Sequence, residues 1–204
     1  MANNITVNWM QVTNFVISGT GTGLSSATYT NIYNNSTQRS TLDFGAVQAG
    51  KVTNIKAVVA RFSSASTVSD LQFWLDSTSA NAAGSMNGDL SGSAWEFNYC
   101  IVPQTKLNFN IETDAITEAQ KKGYTSGGDS AYLGSGFRMS PIPRSVESVP
   151  ANQFSPDGVS PLSVSVPSGG TADSYLIFLD VQTSSDANSG NTEGWYYRMN
   201  FLYS

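Results

Sequence analysis

Fifteen Asp and Glu side chains are the main chemical resource of this 204-residue chain, which has no histidine and one cysteine, Cys100. Without imidazole, and with a lone thiol, the usual sets for structural zinc, haem, Cys–His and Ser–His–Asp catalysis are missing. Catalysis would have to run on carboxylates, for instance a pair set about 5 to 9.5 Å apart across a glycosidic bond. Asp70, Asp76, Asp89, Glu96, Glu112, Asp173, Asp180 and Glu193 fall in or beside apolar alternating segments, but no two stand out as a pair. The oxygen-rich run Asp186–Glu193 suits a hard cation by composition, yet Asn191 and Tyr197 occupy the places where an EF-hand loop needs Gly and Glu. A hairpin loop with side-chain turns explains it better. Cys100 has no cationic neighbour to favour its thiolate and reads as a small packed thiol. The expectation is a protein that is not an enzyme and carries no metal or cofactor.

Aromatic side chains are the more informative set. Trp74 shares strand parity with Gln72 and Asp76, while Leu71, Phe73 and Leu75 take the other parity. An outward tryptophan serves a protein interface or a sugar platform, and plain core remains the third reading. Trp9 carries the same ambiguity. A third group, Tyr132, Phe137, Met139, Ile142 and Phe154, lies in a segment rich in proline. Trp9, Trp74 and these five form the expected contact surface.

The elements that must position them are strands, because apolar residues recur with period two. Trp195, Tyr197, Met199, Phe201 and Tyr203 alternate with Tyr196, Arg198, Asn200 and Leu202; Trp95, Phe97, Tyr99 and Ile101 alternate with Glu96, Asn98 and Cys100. Further strands are expected at 5–9, 12–18, 28–33, 39–44, 52–62, 68–75, 107–111, 162–166 and 175–182. Gly-containing turns separate nearly all of them. The one expected helix is 114–122, with Thr113 or Asp114 as cap and Gly123 as stop. Residues 124–161 hold five prolines and read as a long loop or arm that packs on its own sheet or on a neighbour. The expected fold is therefore all-β: one antiparallel β-sandwich domain over 1–204, immunoglobulin-like or jelly-roll, with one short helix and this arm inserted.

Charge narrows the partners. Lys and Arg number 10 against 15 acids, a net charge of −5, and charged residues make up 12% of the chain where about 25% is usual. The basic residues are scattered, so no patch exists to displace counterions from phosphates, and nucleic acid is not an expected partner. No apolar run approaches the roughly 20 residues of a membrane-spanning helix, so no membrane is expected. The N-terminus shows no charged leader followed by an apolar stretch, which reads as synthesis without a signal peptide. A low-charge, Ser/Thr/Asn-rich β protein resembles those facing the outside world. A removed signal, leaderless secretion, or assembly in a host cytoplasm followed by exposure in a released virion each reconciles the two, and the alternating strand pattern close to Met1 favours the last.

The stretch Leu42-Asp43-Phe44-Gly45-Ala46-Val47-Gln48-Ala49-Gly50, followed by a strand pattern, a Ser-rich turn and Leu71-Gln72-Phe73, resembles the opening of bacterial and phage immunoglobulin-like modules. The closing segment, Ser174–Val181 through the Asp186–Asn191 loop to Trp195–Arg198, is similar in style to the last hairpin of tailed-phage structural domains. That likeness carries no functional residues with it. It implies a non-enzymatic virion protein, foremost a capsid decoration protein that works as a homo-oligomer against a major capsid protein. A tail, baseplate or fibre component is the alternative within that class. A carbohydrate-binding module, with Trp74 stacking on a host glycan, is the alternative from another.

Overall fold

The computed structural model describes residues 5–13, 27–33, 42–45, 48–53, 56–76, 95–102, 140–150, 153–154, 162–183 and 196–204. They form ten strands in two antiparallel sheets that pack face to face as a β-sandwich.

The larger sheet contains β1 (Thr6–Thr13), β2 (Thr28–Tyr33), β3 (Lys56–Ser63), β5 (Trp95–Val102), β6 (Ser140–Pro141), β8 (Thr171–Asp173) and β9 (Leu176–Thr183). Its order is β2-β1-β3-β9-β5-β6, with β8 pairing β3 beyond the end of β9. The smaller sheet is β10-β4-β7, from β4 (Thr67–Asp76), β7 (Val164–Ser165) and β10 (Tyr196–Tyr203).

Alternation explains which side chains meet between the sheets. Val58, Ala60 and Phe62 of β3, Phe97, Tyr99 and Ile101 of β5, and Ile177, Leu179 and Val181 of β9 turn one face inward against Val68, Leu71, Phe73 and Leu75 of β4. Phe73 sits at the centre. Its ring centroid lies 5.8 Å from Trp9, 6.4 Å from Tyr99 and 5.4 Å from the stacked ring of Tyr197. Burying a side chain of this size contributes about 1.5–3 kcal/mol, and the aromatic geometry adds to it.

β9 is buried on both faces, with Leu176, Phe178 and Asp180 also at 1% exposure or less. This is why its sequence is a continuous apolar run rather than an alternation. β8 and β9 are separated by a local irregularity at Ser174. The Ala60 amide donates to Ser174 Oγ at 3.0 Å and the Ser174 amide donates to the Ala60 carbonyl at 2.9 Å, so a hydroxyl bridges the gap in the ladder.

Several expected boundaries shift. The two segments 5–9 and 12–18 are one strand through residue 13; in place of a break there is a bulge in the pairing with β2 between Trp9 and Met10. Strand 52–62 begins at Lys56, with Val52 making an isolated bridge to Gln182. Leu42–Phe44 carry no strand. Instead Asp43 Oδ1 accepts the Gly45 amide at 2.7 Å, a side-chain turn that leaves Gly45 at φ +72°. Gly50, at φ +73°, completes the next turn, closed by the Lys51 amide donating to the Gln48 carbonyl at 3.1 Å. The two-residue β6, the three-residue β8 and the 3-10 turn Val146–Ser148 are too short to show a period in the sequence. The expected helix 114–122 and strand 107–111 lie outside the described residues.

Candidate interaction surface

The outer face of the smaller sheet is set by a bulge. Val68 and Leu71 both point inward although three residues apart, because Ser69 pairs with Leu202 while Asp70 and Leu71 together take the next step of the ladder. Asp70 adopts φ +51°, the left-handed conformation that lets two residues of β4 face one residue of β10, here Phe201. Beyond the bulge Leu71, Phe73 and Leu75 face the core, and Gln72 and Trp74 face out.

β10 continues this outer face with Arg198, Asn200 and Leu202. Arg198 stands directly opposite Trp74 and Asn200 opposite Gln72, with Asn200 Nδ2 donating to Gln72 Oε1 at 3.3 Å. Trp74 is half-buried. Leu202 and Tyr203 are the large apolar side chains left exposed among the described residues, at 63% and 49%. The result is a strip bearing a tryptophan, two amides, a guanidinium and a leucine on β4 and β10.

No protein-family model, curated protein or solved structure matches this chain.

Of the residues expected at a contact surface, Trp74 is on an outer face. Trp9 is not: its ring turns toward the sandwich interior against Phe73. Ile142 and Phe154 are corrected more strongly, being 5% and 2% exposed within the chain's own core. The reason is backbone chemistry in the arm. The Ile142 amide donates to the Phe97 carbonyl of the larger sheet, and the next residue's carbonyl, Pro143 O, accepts the Leu75 amide of the smaller one, each at 2.8 Å. Crossing from one sheet to the other, residues 140–143 close that side of the sandwich and carry Ile142 inside. Tyr132, Phe137 and Met139 lie outside the described residues.

The carboxylates that can be placed do not converge. Asp173 accepts from Arg61 Nε and a terminal guanidinium nitrogen at 2.7 and 2.8 Å, while the Arg61 guanidinium carbon lies 4.4 Å from the centroid of Tyr29. The hydrogen bond to Asp173 holds the Arg61 pKa above its ordinary value. Burial, with the Asp173 charge adding to it, pushes the Tyr29 phenol up. This cluster ties β8, β3 and β2 together. Asp180 is fully buried and accepts from Asn98 Nδ2 at 2.9 Å. Asp70 is exposed at the bulge. Asp76 and Glu96 lie in strands without described side chains, and Asp89, Glu112, Glu193 and the Asp186 loop lie outside the described residues. Among the described residues no three His, Cys, Asp or Glu side chains gather as a metal site.

Sequence reasoning missed Gln153. Its buried side-chain amide bonds both backbone groups of Phe73, and nothing local to residue 153 marks that role.

Proposed function

We propose that this chain is a non-enzymatic structural protein that works by protein–protein contact, in the setting of a tailed-phage virion whose capsid it decorates. The reading rests on one observation above the rest: the exposed apolar side chains Leu202 and Tyr203 of β10, the last strand of its sheet among the described residues, on a low-charge β-sandwich. Isolated apolar side chains on a surface are ordinary, but here Leu202 on the outer face and Tyr203 on the inner one leave apolar area on both faces at the end of one strand. The low-charge composition supports the virion setting, and the resemblance of the 42–50 phrase to phage modules agrees with it. Fractionation of released particles tests the reading. The chain should sediment with capsids at a fixed stoichiometry and dissociate from tails; recovery only in the soluble fraction would end it.

A second reading is favoured by Trp74 alone. An outward tryptophan beside the Gln72–Asn200 amide pair offers a sugar ring a stacking plane and hydrogen-bonding neighbours. A glycan array probed with the purified chain and with Trp74→Ala decides it: binding lost in the variant supports this reading, and no binder on the array removes it.

A further inference from the structure

The outer face of the larger sheet changes character along its strands. Met10 and Val59 pair across β1 and β3 on that face and are 6% and 0% exposed. The next rung on the same face sets Asn8, Arg61 and Asp173 side by side across β1, β3 and β8, and the rung after it sets Thr6, Ser63 and Thr171. All of these side chains are polar and each is half-buried or exposed, so a polar ledge adjoins the covered apolar part of the face. Arg61 is fixed at its centre. Asp173 accepts from it in a fork at 2.7 and 2.8 Å, and the guanidinium carbon lies 4.4 Å from the centroid of the Tyr29 ring. With 26% of the Arg61 side chain and 15% of the Asp173 side chain exposed, the pair is reachable from solvent.

We propose that this ledge binds a neutral oligosaccharide. A sugar hydroxyl both donates and accepts, and the rung offers every kind of partner in a row: the Asn8 amide donates and accepts, the Arg61 guanidinium only donates, and the ionised Asp173 carboxylate only accepts. A guanidinium carries more N–H groups than the fork to Asp173 takes, and each carboxylate oxygen can accept more than once, so adjacent hydroxyls of one ring can engage both members of the pair. Charge sets the ligand class. Arg61 and Asp173 cancel, the rest of the ledge is uncharged and the chain carries −5, so a phosphate or a uronate gains nothing from the site that a neutral ring does not. Asp173 and the Tyr29 ring hold the guanidinium in place before a ligand arrives, so little side-chain freedom is lost on binding. Asn8, Arg61 and Asp173 are the binding residues, and Tyr29 is a positioning residue for Arg61.

The site is independent of the assembly reading and lies on the other sheet from Trp74, so it is tested on the full purified chain without particles. Isotope-labelled protein is titrated with malto-, cello- and manno-oligosaccharides and with oligogalacturonate while backbone amide resonances are followed. The amides of Asn8, Arg61 and Asp173 should shift with at least one neutral series and not with oligogalacturonate. Arg61→Lys keeps the charge but loses the fork, and should weaken binding by at least about tenfold. Asn8→Ala leaves the ion pair in place and keeps the test open if the arginine variant fails to fold; it should weaken binding by about three- to tenfold. Trp74→Ala should bind as wild type does. No shift with any neutral series, shifts confined to the strands around Trp74, a preference for oligogalacturonate, or an affinity indifferent to Asn8→Ala and to a folded Arg61→Lys would each overturn the proposal.

Discussion

The Gln153 side chain acts as a one-residue strand for Phe73. Its Oε1 accepts the Phe73 amide at 2.6 Å and its Nε2 donates to the Phe73 carbonyl at 2.8 Å, all within the buried interior. An amide presents one donor and one acceptor at the spacing of a peptide group, so it satisfies both backbone groups that β7 is too short to reach.

Gln153→Ala should therefore cost about 2–4 kcal/mol in urea unfolding, since it strands two buried backbone groups at once. Gln153→Glu separates donor from acceptor. A protonated carboxyl can do both jobs, whereas a carboxylate can only accept, so the folded-state pKa of the introduced carboxyl is raised above the unfolded value of about 4.3. The variant should approach wild-type stability below that pH and lose it as pH rises through the folded pKa. A pH-independent deficit would mean that the two bonds do not carry the stability.

Alkaline stability follows from two tyrosines. Burial raises the pKa of Tyr99, overcoming the opposing hydrogen bond with Gln153, and burial together with Asp173 raises that of Tyr29. Both folded values lie above the unfolded 10.0, so the stabilising contribution is complete below pH 10 and is lost as pH rises past it. Phenolate absorbance should rise late and together with unfolding. Tyr29→Phe combined with Tyr99→Phe should flatten the decline.

The two tryptophans on β1 and β4 should behave oppositely. Trp9 packs its ring against Phe73 in the interior, and Trp9→Ala should cost about 3–5 kcal/mol. Trp74→Ala removes an outward ring and should cost less than about half of that, while changing whatever the outer face binds. Equal destabilisation by denaturant titration would place both rings in the core.

Ile142→Ala and Phe154→Ala offer the sharpest check on the arm. As core residues they should destabilise the monomer by about 2–5 kcal/mol without altering self-association of the folded fraction. Interface residues would do the reverse.

Strand chemistry was legible in the sequence wherever a strand is long and one of its faces is solvated. Thr28–Tyr33 and the alternating β4, β5 and β10 follow from period two, and the outward parity of Trp74 follows from the same count, because pleating fixes side-chain direction locally. Gly45 and Gly50 sit at turns with positive φ, which only a residue without Cβ takes freely. What the period could not reveal was which sheet covers which face. Trp9 and Trp74 look alike in sequence, yet one turns inward and the other outward, since that depends on where the second sheet lies. The fate of Ile142, Gln153 and Phe154 was likewise decided by long-range hydrogen bonds to Phe97, Leu75 and Phe73. An apolar residue in an irregular segment carries no periodic signal, and only the closing of the sandwich determines whether it lines the core or a partner.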